Sequence, residues 1–73
     1  MDAGKTGAYL AALRKARGMT QQEAADQLGV SNKTVSKWEN GAGLPDITVL
    51  PALAELYGVT ADDILAGETL RGR

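Results

Sequence analysis

A chain of 73 residues, 44% of them hydrophobic and with a formal net charge of −1, supports one small domain and no second core. It contains no Cys and no His, which excludes disulfides, thiol chemistry, the usual zinc sites and the commonest general base. Its aromatic residues are Tyr9, Trp38 and Tyr57, so the core must be packed from Leu, Val, Ile and Ala, a composition suited to closely packed helices.

In chain order, residues 1–5 read as a loosely ordered N-terminus and Thr6 as the N-cap of a first helix that ends before Gly18. Leu10, Leu13 and Arg17 share its inward stripe, and Arg14 falls inside that stripe. A second helix starts at Thr20, with Glu23 in capping-box register, and stops at Gly29; Ala24, Ala25 and Leu28 form its apolar arc. Ser31 announces a third helix, closed by Asn40-Gly41, with Val35 and Trp38 inward. Asp46 reads as the cap of a fourth helix reaching Tyr57, and Pro51 predicts a loose turn over 47–50 with regular helix from about Leu50. A fifth helix begins at Thr60, again with an acid, Asp63, in capping-box register, and runs to about Ala66. Residues 67–73 read as a frayed tail or as the start of a linker. The fold class is therefore all-α, a bundle of four to five short helices occupying residues 6–66.

Charge is unevenly spread. Residues 1–40 hold Lys5, Arg14, Lys15, Arg17, Lys33 and Lys37 against Asp2, Glu23, Asp26 and Glu39, whereas the acids Asp46, Glu55, Asp62, Asp63 and Glu68 dominate the remainder. The basic half also contains the most informative pattern, residues 20–40. Two short helices are joined there by a turn too brief for anything but a sharply angled pair. Ala25 supplies a small side chain for the close crossing, Gly29 a positive φ, and Leu28, Val30, Val35 and Trp38 the apolar filling.

The stretch Met19-Thr-Gln-Gln-Glu-Ala-Ala-Asp-Gln-Leu-Gly-Val-Ser, followed by Val35-Ser-Lys-Trp-Glu-Asn-Gly41, resembles the Cro/CI-type helix-turn-helix family with its lambda-repressor-like fold. The likeness runs from about Thr6 to Ala66, and Thr20-Gln21 and Trp38-Glu39-Asn40-Gly41 are its most specific parts. It implies double-stranded DNA binding in transcription regulation, with the recognition helix, residues 31–40, in the major groove and two copies on a palindromic operator.

A helical wheel of the third helix agrees: Lys33, Ser36, Lys37 and Asn40 face outward with Asn32 on the flank, and that face has no acid. Asn32, Lys33 and Lys37 are the expected base-contacting residues, Lys toward guanine and Asn toward adenine. Gln21, Thr34, Ser36 and Asn40 are the expected backbone-contacting residues. Gln21 also fits a plain surface residue at a helix start, and Asn40 also fits a simple helix cap. Arg14 and Glu39 both point inward from their helices; such charges are costly unless paired, which predicts a partly buried ion pair. The loop Ala42-Gly43-Leu44-Pro45-Asp46 departs from better-charged members of the family in lacking Lys and Arg.

A protein-interaction module on the same fold, antitoxin-like and using the acidic second half, is the alternative. Enzyme chemistry would have to rest on carboxylates such as Asp62 and Asp63, which read better as the acidic first turn of a capped helix. No cofactor, metal or small-molecule ligand is expected. No apolar run approaches membrane-spanning length and no signal peptide is visible, so a cytoplasmic protein is expected. For self-association, the last helices offer a surface from Leu56 to Ala66. Asp62 and Asp63 would meet their copies there, so the expectation is a free monomer that pairs on DNA or through a region beyond residue 73.

Overall fold

A computed structural model describes residues 2–70. They form five helices and no strand: α1 (Ala3–Ala16), α2 (Gln21–Leu28), α3 (Asn32–Glu39), α4 (Leu50–Tyr57) and α5 (Ala61–Ala66). Each boundary has a local cause. Thr20 and Glu23 exchange the two hydrogen bonds of a capping box at α2, and Thr60 and Asp63 do the same at α5. Ser31 caps α3 by accepting the Thr34 amide, and Gly29 ends α2 in the left-handed conformation, φ 72°.

The first helix begins earlier than the sequence suggested. Asp2 caps it, its carboxylate accepting the Lys5 amide at 3.0 Å, so residues 3–5 are helical rather than loose. Thr6 is not a cap but a core residue, 1% exposed, whose hydroxyl donates to the Ile64 carbonyl at 2.9 Å. Its partner lies 58 residues away, beyond any local pattern. Asp46 also serves differently: its carboxylate takes the Thr48 amide and hydroxyl, while α4 starts from Val49 without a side-chain cap. Pro51 sits in the first turn of α4, where a missing N–H costs nothing.

α3 packs against α1 and α2, and α5 against α1 and α4. The shared core is Leu10, Ala25, Val35, Trp38, Leu50, Leu53, Tyr57 and Ile64. Leu10, Leu53 and Ile64 are fully buried, each side chain of this kind contributing about 1.5–3 kcal/mol. The crossing of α1 over the end of α3 is closer than side chains permit. A Cβ on Gly7 would collide with the Trp38 carbonyl and stand 3.1 Å from the Glu39 carbonyl carbon. Gly7, in mid-helix, is thus a packing residue.

Residues 67–70 are not frayed. Glu68 pairs with Lys5 at 3.1 Å, Tyr9 and Thr69 share a hydrogen bond, and the Leu70 amide donates to Asp63 at 2.9 Å. Asp63 itself is buried, so of the two acids expected on the face of the last helices Asp62 alone is exposed. The tail residues Arg71, Gly72 and Arg73 lie outside the described residues.

Candidate nucleic-acid interface

α3 is held by its inner side, and that decides what its outer side can do. Val35 and Trp38 are buried, leaving Asn32, Lys33, Lys37 and Asn40 exposed, with Thr34 and Ser36 half-buried at the margin. The helix is about 12 Å long at 1.5 Å per residue, a length that fits across a major groove about 12 Å wide. Its one acid, Glu39, is turned inward. The exposed side therefore presents two lysines and two amide side chains with no negative group among them.

Glu39 is the centre of the support. Arg14 grips its carboxylate with two hydrogen bonds, Nε to Oε2 at 2.8 Å and Nη2 to Oε1 at 3.0 Å. A third guanidinium bond, Nη1 to the Met19 carbonyl at 2.8 Å, ties the start of the motif to the same cluster. The side chains of Arg14 and Glu39 are 11% and 6% exposed. Burial alone would raise the Glu39 pKa. The hydrogen bonds from Arg14 and Gln21, with the charges of Arg14 and Lys15, more than offset this and hold it below the usual carboxylate value. Glu39 in turn raises the Arg14 pKa, chiefly through their hydrogen bonding. The Tyr57 hydroxyl is pushed up by burial and then by the Glu39 charge.

Gln21 belongs to this cluster, a role the sequence did not reveal. Its Nε2 donates to Glu39 Oε1 at 3.0 Å, which fixes the amide at the start of α2 and leaves its second N–H unused by that bond. Nothing in the Gln21 neighbourhood of the sequence names Glu39, since the two are 18 residues apart.

The remaining expected residues sit as follows. Thr34 shares a hydrogen bond with the Ser31 hydroxyl in the first turn of α3. Asn40 is the C-cap residue, its backbone N–H bonded to the Ser36 carbonyl at 3.0 Å, while its side-chain amide reaches the Ser36 hydroxyl at 3.4 Å. Among the described residues no group of His, Cys, Asp and Glu could hold a metal, and no helix is long and apolar enough to cross a membrane.

The pattern of the helix-turn-helix family matches residues 10–64. The chain is 41% identical over 58 residues to the HTH-type transcriptional activator BcrR of Enterococcus faecalis, covering 80% of this chain and 28% of that one. It is 31% identical over 68 residues to the HTH-type transcriptional regulator YazB of Bacillus subtilis, covering 93% of this chain and 99% of that one. Its structure is similar to that of the clp gene regulator ClgR of Corynebacterium glutamicum, with a TM-score of 0.77 at 25% identity, covering 92% of this chain and 87% of that one. The chain spans about a quarter of the length of BcrR and about half the length of several other curated relatives it matches.

Proposed function

From the chain's membership of the Cro/CI-type helix-turn-helix family, we propose that it binds double-stranded DNA and regulates transcription with α3 in the major groove. The observation that carries this reading is the acid-free outer face of α3, held rigidly from behind by the Arg14–Glu39–Gln21 cluster. Asn32, Lys33 and Lys37 read base edges. Gln21, Thr34, Ser36 and Asn40 bind the phosphate backbone, Gln21 through the amide N–H that Glu39 does not use. One eight-residue helix covers few base pairs, so two copies occupy a palindromic operator with half-sites about one helical turn apart. The domain acts as a binding module without a reaction of its own, in the cytoplasm where the operator is accessible.

Selection of bound sequences from a random duplex pool, repeated with variants, tests the assignment. Wild type should enrich a palindrome. Lys37→Ala should change which base is preferred at one position per half-site, with a loss of about 1–3 kcal/mol of discrimination. Gln21→Ala should weaken good and poor sites alike and leave the salt dependence of binding unchanged, since an uncharged side chain releases no counterion. If Asn32, Lys33 and Lys37 variants all retain the wild-type preference, α3 is not the reading element.

A further inference from the structure

Resting on that DNA-binding reading, we propose that residues 67–70 form a latch whose docking on α1 sets how firmly α3 is held, and with it the affinity for DNA. One turn of α1 links the two, its four consecutive residues meeting α3 and the C-terminal segment in turn. Gly4 meets the end of α3: a Cβ on Gly41 would stand 3.1 Å from the Gly4 Cα and 3.3 Å from its N. Lys5 meets the latch: a Cβ on Gly67 would stand 2.8 Å from the Lys5 Cγ and 3.0 Å from its carbonyl carbon. Thr6 donates its hydroxyl to the Ile64 carbonyl at 2.9 Å, and Gly7 lies against the Trp38 and Glu39 backbone. Where backbones touch, no side chain absorbs a shift, so a displacement on the latch side of this turn reaches α3.

The latch comes loose before the core does. It starts at Gly67 in the left-handed conformation, φ 72°. Beyond it the Glu68 amide bonds to the Asp63 carbonyl at 3.2 Å and the Leu70 amide to the Asp63 carboxylate at 2.9 Å. The Thr69 hydroxyl pairs with the Tyr9 hydroxyl at 3.0 Å, and Glu68 with the Lys5 ammonium at 3.1 Å. Of the residues in these bonds Asp63 alone is buried; the Lys5 and Glu68 side chains keep 52% and 42% of their surface in water, and Leu70 is exposed as well. Polar contacts of this kind each hold weakly in water. A segment held only by them opens locally at a free energy well below that of global unfolding. A closed state that braces α1 and an open state that does not are therefore both within reach. Their balance tunes α3 without anything touching its DNA-reading face.

Hydrogen exchange and DNA titration of the whole chain test the coupling, with duplexes taken from the selected pool. Two variants release the latch by independent routes. Gly67→Val does so through the left-handed φ and the collision with Lys5, and Tyr9→Phe/Glu68→Lys by removing both side-chain ties. Each should weaken binding to good and poor sites about fivefold, at the lower end of allosteric couplings, and leave base preference intact. At a temperature where both remain folded, the Asn40 and Ala42 amides, bonded to the Ser36 and Lys37 carbonyls, should exchange about fivefold faster than in wild type. The Val30 amide, in the turn between α2 and α3, should not change. A general loss of stability would instead lower the melting temperature and speed all three amides together. Linkage supplies a measurement that needs no variant. If docking of the latch favours DNA, DNA must favour docking by the same factor, so the wild-type Leu70 amide should exchange about fivefold more slowly on the duplex. Leu70 exchange that ignores DNA, or variants that match wild type in both affinity and Asn40 exchange, overturns the latch. Failure of wild type to bind any duplex overturns DNA reading instead, and the Asn40 and Ala42 amides of the variants still decide whether the latch reaches α3.

Discussion

Gly7→Val should leave no cooperative unfolding transition at 25 °C, and Gly7→Ala should lower stability by about 3 kcal/mol in urea titrations, the upper end of what overpacking costs. The cause is backbone meeting backbone. A methyl group at Gly7 is placed inside the Trp38 carbonyl and against Glu39, and neither can swing aside as a side chain would. α1 would have to lift from α3, separating Leu10 from Val35 and Trp38 in the shared core. A 73-residue domain holds only about 5 kcal/mol of net stability, so that separation removes most of it. Gly43 is the matched control, with no atom within 4 Å of its ideal Cβ, and Gly43→Ala should stay within about 0.5 kcal/mol of wild type. Equal stability of the two alanine variants would show that α1 does not pack as described.

Arg14→Met should cost about 2–3 kcal/mol and Glu39→Gln somewhat less, both read from thermal or denaturant melts. A fully buried ion pair loses more when broken, but here each side chain retains a small exposure that water can use. The order follows from what is left behind. Removing Arg14 strands a carboxylate supported by Gln21, whereas Glu39→Gln leaves a neutral amide that still accepts from either neighbour. The double variant Arg14→Met/Glu39→Gln should cost less than the sum of the two, since no charge is then unpaired. pH provides an independent check. The Glu39 pKa is depressed in the folded protein, so its contribution is fully present above the unfolded carboxyl value near 4.3 and is lost as pH falls through the folded value. The gap in stability between wild type and Glu39→Gln should accordingly narrow in acid. Unchanged melting of both single variants would mean that the cluster holds nothing together.

The helices were legible where the signal is local. Thr20 with Glu23, and Thr60 with Asp63, stand three residues apart and satisfy one another, so both starts could be read from the chain alone. The inward pairing of Arg14 with Glu39 was also legible, because two charged residues on apolar stripes have few other solutions. What stayed hidden was whatever a distant segment decides. Thr6 looks like a cap until Ile64 supplies the carbonyl its hydroxyl needs. Gln21 looks like surface until Glu39 arrives from α3, and Asp63 looks like an exposed acid until Leu70 folds back to meet its carboxylate. Gly7 did leave a trace, since glycine in mid-helix costs about 1 kcal/mol and so usually marks a close approach. The trace does not say what approaches. The outward lysines of α3 were readable because helical periodicity separates them from Val35 and Trp38, whereas the exposure of Ile47 depends on a turn that no period describes.

The fastening of residues 68–70 along α1 has a topological consequence. Lys5 meets Glu68 and Tyr9 meets Thr69, so the two extremities of the described structure lie side by side. The order in which the helices are strung is then separable from how they pack. A short Gly/Ser bridge from residue 70 to residue 2, with the chain reopened at the exposed turn of Gly18, would string them as α2-α3-α4-α5-α1. Arg14 would still reach Glu39 and Thr6 would still reach Ile64, now across a different stretch of chain. Such a permutant should fold to the same far-ultraviolet circular dichroism spectrum, with α1 made a C-terminal segment whose docking can be followed after the rest has been synthesised.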